Sequence, residues 1–206
     1  MQIELVNIGK QFNTDWVFRN ICFSVDENSV TAILGRNGSG KSTLLQIIAG
    51  NISPTTGKVT CTHGSTSIPD DAIFRHLALV APYQELIEEF TLGEMLDFHF
   101  SFKPIMKGFD RVQLVEMLGF NTGKQKQIRQ FSSGMKQRVK LILALLSDVP
   151  LLLLDEPAMN LDEAGIEWYH NMIGEFKRNR TVIICSNLHQ TESFFADKII
   201  RIEKYN

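Results

Sequence analysis

Residues 29–50, SVTAILGRNGSGKSTLLQIIAG, constrain the fold more than any other stretch. An apolar, β-rich run (SVTAIL) enters a loop holding three glycines, and an apolar helical pattern leaves it. Leu44, Leu45 and Ile48 share one helical face, and Gly50 is a natural stop. The loop fits G-x-x-x-x-G-K-[ST] from Gly35 to Ser42. Glycine lets the backbone curl so that successive N–H groups point inward, where they can surround phosphate oxygens. The helix behind adds the positive end of its dipole. Gly35, Arg36, Asn37, Gly38, Ser39 and Gly40 would form the cradle. Lys41 would reach the β- and γ-phosphates, the Ser42 hydroxyl would ligate Mg²⁺, and Thr43 belongs to the same first turn. The competing reading is a chance glycine-rich turn, which the strand before and the helix after oppose.

Residues 151–156, LLLLDE, form a uniformly apolar run ending in two acids, as expected of a central parallel strand covered on both faces. In open α/β sheets ligands collect beyond the carboxyl ends of the strands. Asp155 would then hold the metal, through water, and Glu156 would orient or deprotonate an attacking water. The bland alternative is a pair of acids capping a surface strand. TVIICSN repeats the buried-strand signature and DKIIRIE reads as a last strand. Strands alternating with helices indicate a mostly parallel α/β core, with a helix-rich insertion from about 91 to 147.

In QFSSGMKQRVKLILALL, Val139, Ile142, Leu143 and Leu146 follow helical spacing. Ser132, Ser133 and Gly134 sit at that helix's start, a second anion-binding terminus. One nucleotide does not need two such loops, whereas two facing chains that each contribute one would use both.

These residues resemble the ATP-binding cassette family, in particular the nucleotide-binding subunit of a transporter. FSSGM resembles its signature loop, and MNLD (159–162), ending at Asp162, resembles its D-loop. The resemblance covers essentially the whole chain. It implies an α/β P-loop NTPase core with an N-terminal antiparallel β-subdomain and an inserted helical signature subdomain. That would be one domain over 1–206, with its core at about 1–85 and 150–206 and the insertion at about 86–149. It implies a head-to-tail homodimer or heterodimer sandwiching two ATP molecules with Mg²⁺, each ATP between one subunit's phosphate loop and the other's Ser133–Gly134. It also implies that Phe12 stacks on adenine. Trp16 is a rival for that role, and Phe12 could instead be core.

Two positions depart from the family pattern. Counting back from Thr91 puts Pro82 where the Q-loop glutamine, a metal-facing residue, usually stands. Either Gln84 serves from a shifted loop or the role is filled differently. The switch histidine is replaced by Asn187, which can donate or accept a hydrogen bond but cannot carry charge or shuttle protons. His189 is either a substitute or a plain surface histidine.

Composition narrows the function classes. With 21 basic and 23 acidic residues the net charge is −2, which gives no footprint for nucleic acid, and none is expected as a partner. The basic group Lys124, Lys126, Arg129, Lys136, Arg138 and Lys140 reads as a solvated face. Three scattered cysteines, Cys22, Cys61 and Cys185, lack metal spacing and suit a reducing compartment. No signal peptide and no apolar run of about 18 residues is readable. With the resemblance, this implies a membrane-spanning transporter subunit on a separate chain, and a place for this protein in the cytoplasm at the inner face of the membrane. The aromatic-rich stretch 98–106, FHFSFKPIM, is either a docking face for that partner or insertion core. The leading function is an ATPase that powers transport. The alternative is a non-transport cassette acting as a slow regulatory or assembly clamp. A DNA-repair clamp lacks its coiled coil here, and FSSGM together with Asp155–Glu156 disfavours a nucleotide kinase or small GTPase.

Overall fold

The computed structural model describes residues 1–120, 126–187 and 189–205. Lys124, one of the basic group named above, lies outside them. The chain opens with β1 (Gln2–Phe12) and β2 (Asp15–Val25), an antiparallel hairpin turned at Asn13, whose φ of 53° asparagine tolerates well. Next come β3 (Val30–Leu34) and α1 (Lys41–Ile48), then β4 (Thr56–His63), β5 (Thr66–Ile68) and β6 (Leu77–Val80). A helical segment holds α2 (Leu92–Phe102), α3 (Arg111–Met117) and α4 (Ser133–Leu145). The chain closes with β7 (Leu151–Asp155), α5 (Glu163–Phe176), β8 (Thr181–Ser186), α6 (His189–Glu192) and β9 (Lys198–Arg201).

Two sheets result. One is antiparallel, in the order β2-β1-β4-β5, and the other is parallel, in the order β6-β7-β8-β3-β9. This is the expected mixed α/β architecture, with an antiparallel sheet at the N-terminal side and helices inserted before β7. The strands β4, β5 and β6 were not foreseen individually.

The parallel sheet is apolar on both faces, and side-chain alternation divides its residues between two cores. Ala78, Val80, Leu152, Leu154, Val182 and Ile184 point toward the core built with α2, α4 and α5. Leu77, Leu151, Leu153, Ile33, Ile183 and Cys185 point the other way, toward α1 and the antiparallel sheet. Each fully buried aliphatic side chain contributes about 1.5–3 kcal/mol, so this sheet is the rigid frame. Its register sets the site. Leu34 lies opposite Ser186, and Asp155 opposite Cys185, so three strands end together at one edge.

The helices are stopped and started locally. Thr91 and Glu94 form a capping box on α2, and Asp110 and Gln113 form one on α3. Arg180 closes the other end of α4, where carbonyls run out of partners. It donates to the carbonyls of Leu145 and Ser147, each at 2.7 Å. His99 of α2 joins this node, with Nε2 2.9 Å from the Ser147 hydroxyl, which itself donates to the Leu143 carbonyl at 2.6 Å. Among the described residues no helix is long and apolar enough to cross a membrane.

Burial, followed by the nearby Lys103 charge, pushes the His99 pKa down to about 4. The folded protein therefore binds fewer protons than the unfolded chain between about pH 6.5 and 4. Stability tied to His99 is present above that window and is lost as pH falls through it, on the order of 2 kcal/mol. Urea denaturation at pH 7 and pH 5 checks this: His99→Gln should flatten the pH dependence, and parallel profiles for the two proteins would refute the assignment.

Candidate functional site

At the edge where β3, β7 and β8 end, the 35–40 loop turns into α1 with no side chain capping the helix start, leaving first-turn N–H groups open to an anion. Gly40 has a φ of 95°, and a Cβ there would lie 2.6 Å from Val17 and 2.9 Å from Phe18. Glycine is thus required both by the turn and by the close approach of β2. Lys41 is 4% exposed and donates to the carbonyls of Gly35 at 2.9 Å and Arg36 at 3.0 Å. Its ammonium is held inside its own loop. The Arg36 amide is pinned by Glu203 at 2.8 Å, tying the loop to the residues after β9.

Beneath the loop, Asp155 is 1% exposed, and among the described residues neither of its carboxylate oxygens has a donor at full hydrogen-bond distance, the Ser42 hydroxyl being the nearby one; the buried Ser39 hydroxyl also has no partner among them. A buried carboxylate without partners is costly. Burial raises the Asp155 pKa, and Glu156 adds to the rise, while the nearby Ser42 hydroxyl and Lys41 ammonium oppose it. The hydroxyl of Ser42 and the carboxylate of Asp155 are hard oxygen donors, the type Mg²⁺ takes. The described residues contain no cluster of three or more His, Cys, Asp or Glu able to hold a metal by themselves.

Glu156 follows with φ of 47°. The other six non-glycine residues with positive φ among the described residues are all asparagines, which tolerate that region. A glutamate there costs on the order of 1 kcal/mol, and such strain concentrates at functional positions.

The structure brings Asn187 to the loop: its Nδ2 donates to Asn37 Oδ1 at 2.8 Å. The side chain of His189 is outside the description. Gln84 is turned back on its own segment, its Oε1 accepting from the Ala81 amide at 3.2 Å. The neighbouring residue, Tyr83, is the one coupled to the acid. Burial and then the Asp155 charge push its phenol up to about 12, while a hydrogen bond with Gln46 of α1 opposes the rise. Tyr83 was missed in the sequence; its only signal is a hydroxyl-bearing aromatic beside the displaced glutamine.

The signature-like segment forms a separate surface. Ser132 caps α4 by accepting from the Met135 amide at 3.2 Å, and Ser133 is exposed. A Cβ at Gly134 would stand 2.9 Å from the Asn160 carbonyl, so only glycine lets this helix start touch the 158–162 loop. Asp162 caps α5 through the Gly165 amide at 2.8 Å. The concavity around Ser133 is lined by Gly134, Arg138, Asn160 and Asp162, and by no residue of the 35–43 loop. Phe12, at the end of β1, is 50% exposed, with the Lys10 ammonium 4.8 Å from its ring centre, so it is not core. Trp16 lies opposite Gln11 under the Arg19 guanidinium.

A parallel sheet whose strand ends carry a glycine loop, a lysine-started helix and a buried acid defines a P-loop nucleotide-binding protein. The family model described as ABC transporter matches residues 18–159, and the chain belongs to this family. It is 30% identical to the uncharacterized ABC transporter ATP-binding protein YybJ of Bacillus subtilis (strain 168), covering 90% of this chain and 85% of that protein. It is 28% identical to the lantibiotic transport ATP-binding protein SrtF of Streptococcus pyogenes, covering 96% and 85%. A dimeric bacterial ABC transporter cassette shares the fold with a TM-score of 0.80 at 24% identity, over 97% of this chain and 93% of that one. The same cassette bound to ADP and Pi gives 0.78. The protein is an ABC transporter ATP-binding subunit, an ATPase that powers transport.

If the amide of Asn187 faces the terminal phosphate, a neutral donor there contributes about 1 kcal/mol, less than a charged one. Asn187→Ala should then lower steady-state hydrolysis several-fold at unchanged ATP affinity, and Asn187→His should keep or raise it. A parental rate in Asn187→Ala would remove it from the reaction.

Proposed function

We propose that the 35–43 loop of this subunit holds the triphosphate of ATP, that Ser42 and Asp155 hold Mg²⁺, and that Glu156 activates the attacking water. The unpaired, buried carboxylate of Asp155 beneath the loop carries this reading. Lys41 would exchange the loop carbonyls it now binds for β- and γ-phosphate oxygens, a stronger charge-assisted contact. Ser42 and Asp155 would hold Mg²⁺ beside the phosphates, where its charge would offset theirs. Glu156, placed one residue past Asp155 by its left-handed backbone, would orient water toward the γ-phosphate. Phe12 would stack on adenine.

Ser132, Ser133 and Gly134 would act on the ATP of a facing subunit, because their concavity shares no residue with this chain's own phosphate loop. Asp162 would stand beside them at the same dimer surface. That the cassette sharing the fold is dimeric supports a facing subunit. A groove lined by Phe74, Leu79, Leu86, His99, Lys103 and Lys140 runs along the helical segment, beside the exposed Phe98 and Phe102. It would receive a membrane-spanning subunit, placing this protein at the inner face of the membrane. Phe100 packs on the core instead, so the 98–106 stretch divides between both readings. With a neutral amide at Asn187 and Gln84 committed to its own turn, hydrolysis by the isolated subunit would be slow.

The test is Glu156→Gln, which keeps shape and hydrogen bonding but removes the base. ATP should still bind, turnover should fall about 10²–10⁴-fold, and ATP-bound dimers should accumulate on gel filtration. Parental turnover by this variant would assign the water activation elsewhere.

A further inference from the structure

Past the catalytic edge, β7 and β8 separate. Their ladder ends with Asp155 opposite Cys185, and the Glu156 amide makes a last bond to the Cys185 carbonyl at 2.9 Å. One chain then runs through Pro157 and Ala158 toward Asp162, and the other through Ser186 to Asn187. Glu192, at the end of α6, joins them again. The residue is 2% exposed. One carboxylate oxygen accepts from the Ala158 amide at 3.0 Å, and the other accepts from the Ser186 hydroxyl.

Glu192 is itself anchored from behind by α5. The Tyr169 hydroxyl, fully buried, donates to the Glu192 carbonyl at 2.9 Å, and His170 Nε2 lies 2.6 Å from the Thr191 carbonyl. Burying a carboxylate is expensive unless strong donors meet it. Here burial raises its pKa, the Ser186 and Ala158 bonds resist that rise, and the charges of Glu156 and Asp155 add to it. Glu192 is therefore within electrostatic reach of both site acids, though it touches neither phosphate loop nor nucleotide position. A carboxylate is the side chain for this place because its two oxygens accept from two segments at once. Nothing in the assigned chemistry uses it.

We propose that Glu192 is a positioning residue for ATP hydrolysis, fixing the Glu156–Ala158 turn against the Ser186–Asn187 end of β8. The acid that orients water and the amide that reaches the phosphate loop then keep one spacing. The proposal rests on the assignment of water activation to Glu156.

The test compares full-length Glu192→Ala, Glu192→Gln and Ser186→Ala, with kcat from steady-state hydrolysis and ATP affinity from calorimetry. Glu192→Ala should lose about tenfold or more in kcat while its ATP affinity stays within about twofold of the parent. Glu192→Gln, which still accepts from Ala158 and stays polar toward Ser186, should recover to within about threefold. Ser186→Ala should lower kcat in the same direction, and combining it with Glu192→Ala should add no further loss. Parental kcat in Glu192→Ala, an equal loss of ATP affinity, a Gln variant as slow as Ala, or additive losses would each overturn the proposal. Should Glu192→Ala not fold, Ser186→Ala and Glu192→Gln decide it, and parental kcat in Ser186→Ala would be the contrary result. Failure of the underlying assignment reads separately, as parental turnover by Glu156→Gln.

Discussion

Lys41 and Asp155, oppositely charged and both almost fully buried, stand at the edge where the parallel strands end. Each depends on something beyond ordinary pairing. Lys41 donates to the carbonyls of its own loop, and Asp155 has no donor at full hydrogen-bond distance among the described residues, only the nearby Ser42 hydroxyl and Lys41 charge. Buried charge left this way weakens a fold, so the surrounding frame must be strong enough to hold it. The two cores on either face of the parallel sheet supply that strength, and the strand register delivers the charges to one place. A nucleoside triphosphate with its cation has the complementary chemistry for both groups.

Around this pair, the chain solves familiar geometric tasks with unfamiliar side chains. Asn187 replaces an imidazole and reaches the loop through Asn37. The glutamine expected near the metal is turned into its own segment, while the Tyr83 phenol lies within reach of Asp155. Glu192 ties together the two segments that leave the sheet after Glu156 and Cys185.

The legible parts of the sequence were those with local causes. G-x-x-x-x-G-K-S dictates a backbone shape, and LLLLDE has the uniform apolar character of a strand covered on both faces, so loop and parallel core could be read directly. The start of α4 at Ser132–Ser133 followed from the amphipathic run behind it. By contrast β4 turns only Val59 and Cys61 toward the core, an alternation too short to mark a strand. Its partner lies far away in β1. Glu192 was invisible for the same reason: one of the two bonds its carboxylate accepts comes from Ala158, thirty-four residues distant, and no motif joins them. The aromatic stretch 98–106 could not be divided by pattern, since Phe98 and Phe102 face outward while Phe100 packs on the core.

The claim that Asp155 awaits a phosphate-bound cation is tested most directly by thermal unfolding of the full chain with saturating ATP, with Mg²⁺ or with chelator. A ligand at about 100 times its Kd adds about 2.7 kcal/mol, or several degrees in a chain of this size. The account predicts that Mg²⁺ adds to the shift given by ATP, and that Asp155→Asn loses the Mg²⁺-dependent part while keeping the remainder. Equal melting temperatures for the parent with Mg²⁺ and with chelator would contradict it.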